Sequence, residues 1–371
     1  MSRNATKDLT TGSPMKLILG FGIPLLFGML FQQFYNMMDT IIVGKFLGVS
    51  ALASVGATGS INFMIIGFCM GVCNGFAIPV AQRFGAKDEH GMRKFVANSV
   101  WLSIIFAVVM AVLVCVFCRQ ILELMNTPED IIDGSYSYIF VIFLGIPATY
   151  MYNLLSGIMR SLGDSKTPLY LLIFSSILNI ILDLLSIIVL KMGVAGAAWA
   201  TVIAQAVSGF CCLGVIWKKF PILHVQREEW QPDKLCILNL CNMGIPMGLQ
   251  YSITAIGSVI IQAAVNSLGS VAVASVAAAV KINMFLCCPY DAMGSTMATY
   301  AGQNVGAGKF DRLKQGEKSC TLLGLVYGIA AFIFILLFGK YLALLFVDAS
   351  EEIIINQAHL FLMCNSAFYF P

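Results

Sequence analysis

The stretch KLILGFGIPLLFGMLFQQFYNMMDTIIVGK, residues 16–45, decides how the chain is read. Between its two lysines lie the 28 residues Leu17 to Gly44, and one of them, Asp39, is charged. A helix rises about 1.5 Å per residue and the hydrocarbon core of a bilayer is about 30 Å thick, so this run is long enough to cross a membrane. It is too long for the core of a cleaved leader, roughly 7–15 residues, and has no A-x-A-like exit. The segment before it, Met1 to Lys16, is polar and reads as a tail on one side of the membrane.

The rest of the chain repeats this pattern. Apolar residues make up 59% of it and charged residues 11%, with a mean hydropathy of +0.86. A soluble domain carries about 25% charged residues. So little charge cannot cover a water-facing surface, and lipid must be the main solvent. The sequence therefore predicts an all-α, polytopic membrane protein. Ten spans are expected, over 17–44, 52–80, 95–118, 134–158, 168–190, 194–217, 235–264, 271–301, 319–346 and 353–371.

The connections divide by charge. Lys and Arg number 17 on the N-terminal side, here side A, and 4 on side B, with Lys281 inside a span. In this count Arg160 belongs to a side A loop. Cytoplasmic loops are enriched in Lys and Arg, so side A is expected in the cytoplasm and the protein in the cell membrane. The 12 cysteines lie almost entirely in apolar runs, and the C-x-x-C of Cys115 and Cys118 falls inside a span. They read as packed helix residues, with no disulfide framework.

Three short segments recur in one register. FGIPLLFG at 21–28 returns as MGIPMGLQ at 243–250, SALASVG at 50–56 as SVAVASVA at 270–277, and AQRFGA at 81–86 as GQNVGA at 302–307. Six spans precede the second copy, so both copies start on side A. This predicts a parallel repeat about an axis along the membrane normal. The lobes are expected at 1–217 and 235–371, joined by a cytoplasmic loop at 218–234. By the same register the second lobe stops after about four spans of an expected six. Gly67, Gly71 and Gly75 form a small-residue stripe that suits close helix packing.

Charges within spans are costly and mark candidate sites. Asp39 and Asp183 each lie about two turns before the lysine that ends their span, Lys45 and Lys191, roughly 10 Å from side B at 1.5 Å per residue. Asn179 is one turn from Asp183, Thr201 lies at a similar depth on the next span, and Gln32, Tyr35 and Asn36 share the face of Asp39. No Lys or Arg lies within one turn of either acid. Two acids withdrawn from water without a basic partner call for a proton or a hard cation such as Na⁺, which takes oxygen ligands. Lys281 and Asp291, on the eighth span, are candidate cleft residues. Pro24 and Pro246 remove a backbone hydrogen bond inside their spans and are candidate hinges.

These motifs together resemble the multidrug and toxic compound extrusion (MATE) transporters of the multidrug/oligosaccharidyl-lipid/polysaccharide flippase superfamily. The resemblance is carried by FYNMMDTIIVGKFLG at 34–48, AQRFGAKD at 81–88, RSLGDSKTP at 160–168, NIILD at 179–183, GAAWATVIAQ at 196–205 and GQNVGAGK at 302–309. It implies two six-helix lobes that alternate access, and export of organic, usually cationic, compounds in exchange for H⁺ or Na⁺. It places the coupling ion at Asp39, Asn179, Asp183 and Thr201, with Gln32 and Tyr35 beside it and Pro24 at the bend of the first helix. A monomer is expected, without a cofactor and without nucleic acid as a partner. One position departs from the family: some members have a glutamate eight residues after the second proline, where this chain has Thr254. Coupling is therefore expected in the first lobe.

The alternatives are weaker. A lipid-linked oligosaccharide flippase of the same superfamily needs several cations in its cleft, and Lys281 is the one cation expected inside a span. A major-facilitator transporter has an acidic–basic signature after its second span that QRFGAKDEHGMRK lacks. A membrane enzyme needs a metal cluster or a nucleophile–base pair, yet His90, His224 and His359 are scattered and neither HExxH nor GxSxG occurs. Cysteine labelling checks the orientation: the 82–94 loop reacts from the cytoplasmic side.

Overall fold

The computed structural model describes residues 6–125, 127–345 and 351–368. Arg3 and the last residues of the tenth expected span, 369–371, lie outside them. The described residues form helices and contain no strand. The elements are α1 (Pro14–Leu47), α2 (Val49–Ala57), α3 (Gly59–Gly85), α4 (Glu89–Val116), α5 (Cys118–Leu124), α6 (Glu129–Leu144), α7 (Ile146–Ser161) and α8 (Lys166–Leu184). Then come α9 (Gly193–Lys219), α10 (Lys234–Asn266), α11 (Ser270–Gly306), α12 (Phe310–Ala343) and α13 (Glu352–Ser366).

Among the described residues eight helices are long and apolar enough to cross a membrane, or nine if the bent pair α6–α7 is one span. The bounds of the expected spans shift for identifiable reasons. The second span does not run unbroken over 52–80: Thr58 separates α2 from α3, and α2 packs on α6, where Ser135 donates to the carbonyl of Ser54 at 2.9 Å. The fourth span bends by 46° between α6 and α7. The bend falls at Gly145, two residues before Pro147, which has no N–H to continue the ladder. The fifth span ends in a π-turn, Leu185–Val189. The ninth, α12, begins nine residues before the expected start at 319. The helix of the tenth, α13, has 15 residues.

Residues of α1 and α3–α10 share one buried apolar cluster that runs from Ile42 to Leu240. A second cluster joins α11, α12 and α13 through Ala279, Ile335 and Leu362. Outward faces stay apolar: on α4, Ile104, Val108 and Val112 are exposed as a lipid-facing stripe. The connection from α9 to α10 is pinned to α4. Glu229 in it is 1% exposed and takes the Arg93 guanidinium at 2.9 Å. Burial pushes that carboxyl up, but the Gln226 N–H and Arg93 outweigh it and hold it below the usual range.

The two halves touch along α1 and α3 against α10 and α11, and glycine sets how closely. A side chain at Gly75 would run into the backbone of Gly244, and one at Gly71 into Met247 and Gly248. Nearer side A, Gly85 abuts the carbonyl of Gln303 while Gly306 abuts that of Gln82. These two contacts are reciprocal: 85 and 306, like 82 and 303, differ by the 221 residues of the sequence repeat. A twofold relation between lobes produces such pairs. Toward side B the contact ends. Ser252 still donates to Met64 at 3.3 Å, but Gly59 and Gly257 have nothing within 4 Å of where a side chain would begin. The lobes are clamped on side A and parted on side B.

The clamp has a second component. Residues 7–12 run across it as a strap. Lys7 N–H donates to Leu162 of the first lobe at 2.9 Å. Leu9, 1% exposed, donates to Gln303 at 2.8 Å and accepts from Asn304 at 3.3 Å. Lys309 and Arg312 then bind the carbonyls of Thr10 and Gly12, each at 2.9 Å. Leu9 belongs to a small apolar cluster with Phe21, Ala292 and Tyr300.

Cysteines at Ala81 and Gly302 test the clamp, since a side chain built at Gly302 starts 3.0 Å from the Ala81 Cβ. Disulfide geometry needs about 3.5–4.5 Å between these atoms. Oxidation is expected to join the lobes, read as two halves that stay linked after proteolysis in the 218–234 loop. Adding Gly71→Leu is expected to lower the yield severalfold.

The paired acids and the interlobe cavity

The sequence places Asp39 on α1 and Asp183 on α8 at one depth, and the fold brings them together. Their carboxyl groups lie close enough to interact directly. Asp183 is 0% exposed and Asn179, one turn back, 1%. Asp39 Oδ1, both oxygens of Asp183 and Asn179 Oδ1 are buried and accept no hydrogen bond. Four acceptor oxygens turned toward a dry interior, two of them on one carboxylate, are costly unless something positive lies among them.

Thr201 on α9 acts as a hub. Its hydroxyl lies 3.3 Å from both the Tyr35 hydroxyl and Asn179 Nδ2, which donate to it, and 3.2 Å from the Ala197 carbonyl, to which it donates. It therefore fixes Tyr35 and the Asn179 amide, and the acceptors without partners belong to Asp39, Asn179 and Asp183. The π-turn begins two residues after Asp183, and the Ser186 hydroxyl donates to the Asp183 carbonyl at 3.2 Å. Tyr138 of α6, 6% exposed, lies within electrostatic reach of Asp39, Asp183 and Tyr35. The sequence did not single it out, because it is one of four successive hydroxyl-bearing residues, 135–138, ahead of an apolar run.

The remaining candidates fall elsewhere. Asn36 is exposed and its amide reaches Gln33 at 3.5 Å, so it stands apart from the acids. Gln32 is half-buried on α1. Asp291 lines a cavity of about 370 Å³ between the lobes, on the side A half of α3, α7, α10 and α11, well away from the acid pair. Lys281 is exposed and does not line it. Arg160, read in the sequence as a loop cation, is corrected: it sits in the last turn of α7 and lines the same cavity, with Nη2 donating to Asn74 at 3.0 Å. Its place at the end of a span, before Gly163 and Asp164, made it look like part of the loop. Pro24 and Pro246 lie inside unbroken helices.

The MatE family model matches this chain twice, over residues 24–185 and 246–371. The chain belongs to the MATE family. Its two matches start 222 residues apart, the spacing of the sequence repeat. The protein is thus a MATE membrane transporter and not an enzyme. It is 31% identical over 353 residues to the probable multidrug resistance protein YoeA of Bacillus subtilis, covering 92% of this chain and 75% of that protein. With the probable multidrug resistance protein YpnP of the same organism it shares 28% over 366 residues, 98% of this chain and 81% of that one. A solved MATE transporter in an outward-facing conformation has the same fold, with a TM-score of 0.90 at 24% identity, over 97% of this chain and 80% of that one.

Replacing the hub tests how this MATE transporter holds its polar layer. Thr201→Val leaves Asn179 Nδ2 and the Tyr35 hydroxyl without their acceptor. The expected loss is about 1–3 kcal/mol, read as a lower melting temperature in detergent.

Proposed function

We propose that the protein is an antiporter that exports small organic compounds and is driven by H⁺ or Na⁺ bound at Asp39, Asp183 and Asn179. One observation carries this reading: four buried acceptor oxygens without partners in the first lobe, in a site where, among the described residues, no Lys or Arg pairs with the acids. One proton between the carboxyls, or one hard cation among the four oxygens, supplies the missing donor or charge. Among the described residues no third acid, His or Cys joins them, which suits a singly charged ion better than a divalent metal. The names of YoeA and YpnP support multidrug export as the task.

The charge bias supports side A as cytoplasmic. With that orientation the clamp closes the cytoplasmic end and the cleft opens outward. An ion drives export when it binds the two access states unequally. In this reading the ion enters from outside and neutralises Asp39 and Asp183. The helices α1 and α8 then pack more closely, α1 bends at Pro24, and the compound leaves outward. Asp291 in the cavity supports a cationic group on the compound. Arg160 gives the flippase alternative one cation in the cleft, but an acid facing the same cavity and no second cation make a poor seat for a lipid-linked anion.

Efflux of a fluorescent organic cation from vesicles, with proton and sodium gradients imposed separately, tests this function. Asp39→Asn and Asp183→Asn keep the shape and remove the exchangeable charge. Each is expected to lower gradient-driven efflux at least tenfold with little change in melting temperature. A double variant that still exports at the normal rate under either gradient would overturn the reading.

A further inference from the structure

The interlobe cavity holds two charges that the protein itself leaves unneutralised. Arg160 donates one hydrogen bond, to Asn74. A guanidinium has five N–H donors. None of its nitrogens is among the buried polar atoms that lack a partner, so the unbonded donors are open to the cavity the side chain lines. Among the described residues Arg160 forms no ion pair with a carboxylate. Asp291 faces the same cavity from the other lobe and pairs with no Lys or Arg among the described residues. Tyr251 of α10 lies within electrostatic reach of both.

An unpaired charge at membrane depth is costly and calls for a reason. A cation in the last turn of a helix offsets the helix dipole, and Arg160 does so for α7. That role does not require it to face a cavity, nor does it account for an acid on the opposite wall. The volume, about 370 Å³, falls in the range of small-molecule sites. Besides the two charges, the walls present Tyr251, Tyr290, Asn74 and Gln250.

We propose that this cavity binds an amphoteric aromatic compound, its anionic oxygens on Arg160, its cationic group on Asp291 and its ring against Tyr251. The proposal deepens the export reading and rests on it in taking the cavity as part of the transport path. A carboxylate or phosphate receives two N–H groups of the guanidinium at once, a geometry that a purely cationic compound leaves unused. Arg160 then sets specificity: it favours compounds that carry an anionic group in addition to a cation.

Rhodamine 110 and rhodamine 123 test this directly. They share a cationic xanthene ring; the first has a free carboxylate where the second has its methyl ester. Their binding to the protein in lipid nanodiscs is read by fluorescence anisotropy. Rhodamine 110 is expected to bind about tenfold more tightly. Arg160→Met is expected to erase that preference, Arg160→Lys to retain part of it, and Asp291→Asn to weaken both dyes. Equal binding of the two dyes to the unmodified protein overturns the proposal without any variant. So does an Arg160→Met protein in which both dyes weaken by one factor, because that marks mere support of the cavity wall. Efflux of the same dyes separates the two readings. If Asp39→Asn still pumps, the coupling site is wrong while dye preference still judges the cavity. If efflux needs Asp39 but the preference is absent, the coupling site stands and the cavity assignment falls.

Discussion

The close approach of α3 to α10, and of the Gln82–Gly85 and Gln303–Gly306 segments, is the constraint on which the rest of the structure depends. Lipid tails are as apolar as leucine, so no hydrophobic drive holds two lobes together inside a membrane; packing and hydrogen bonds must do it. Glycine makes that possible by letting backbone meet backbone at Gly71, Gly75, Gly85 and Gly306. Contact is tight on side A and absent at Gly59 and Gly257, so the lobes meet most closely at one end. The cavity above the clamp and the parted mouth on side B both follow from that asymmetry.

Within the first lobe a different force governs. The acid pair sits in a layer whose polar partners are neutral: the Tyr35 and Thr201 hydroxyls and the Asn179 amide. A basic residue in this layer would neutralise the acids permanently and leave nothing for an ion to do. Arg160 lies on the cavity wall and Lys281 is exposed on α11, away from this layer; under the proposed coupling, that leaves the acids able to respond to what arrives from solution. The buried oxygens without partners cost the lobe stability, a cost that the proposed ion would relieve.

Much of this was legible in the sequence because membrane helices obey simple rules. Length and apolarity located the spans, and the spacing of Asn179 and Asp183, with depths counted from Lys45 and Lys191, gathered the acid layer. The breaks were not legible, since a span-length average of hydropathy smooths over Thr58 and over Gly145 to Pro147. Tyr138 was missed because its relation to Asp39 exists only after α6 folds against α9. Arg160 was misplaced because one turn of helix separates a loop cation from a cavity cation, and hydropathy cannot resolve one turn. The strap was invisible for a similar reason: nothing in residues 7–12 announces that Leu9 has a socket on α11.

That strap also fixes an order of assembly. Leu9 bonds to Gln303 across a sequence separation of 294 residues, and to Asn304 across 295. A ribosome delivers Leu9 before α1, and its socket only after both α10 and nearly all of α11. Throughout synthesis of the first lobe, the segment that will seal side A has half of its anchor, at Leu162, and lacks the other half. Closing so long a loop carries an entropic cost that the growing chain cannot offset early. The seal therefore forms late, and the barrier between the two aqueous compartments is finished by a segment made before either lobe and among the last to find its place.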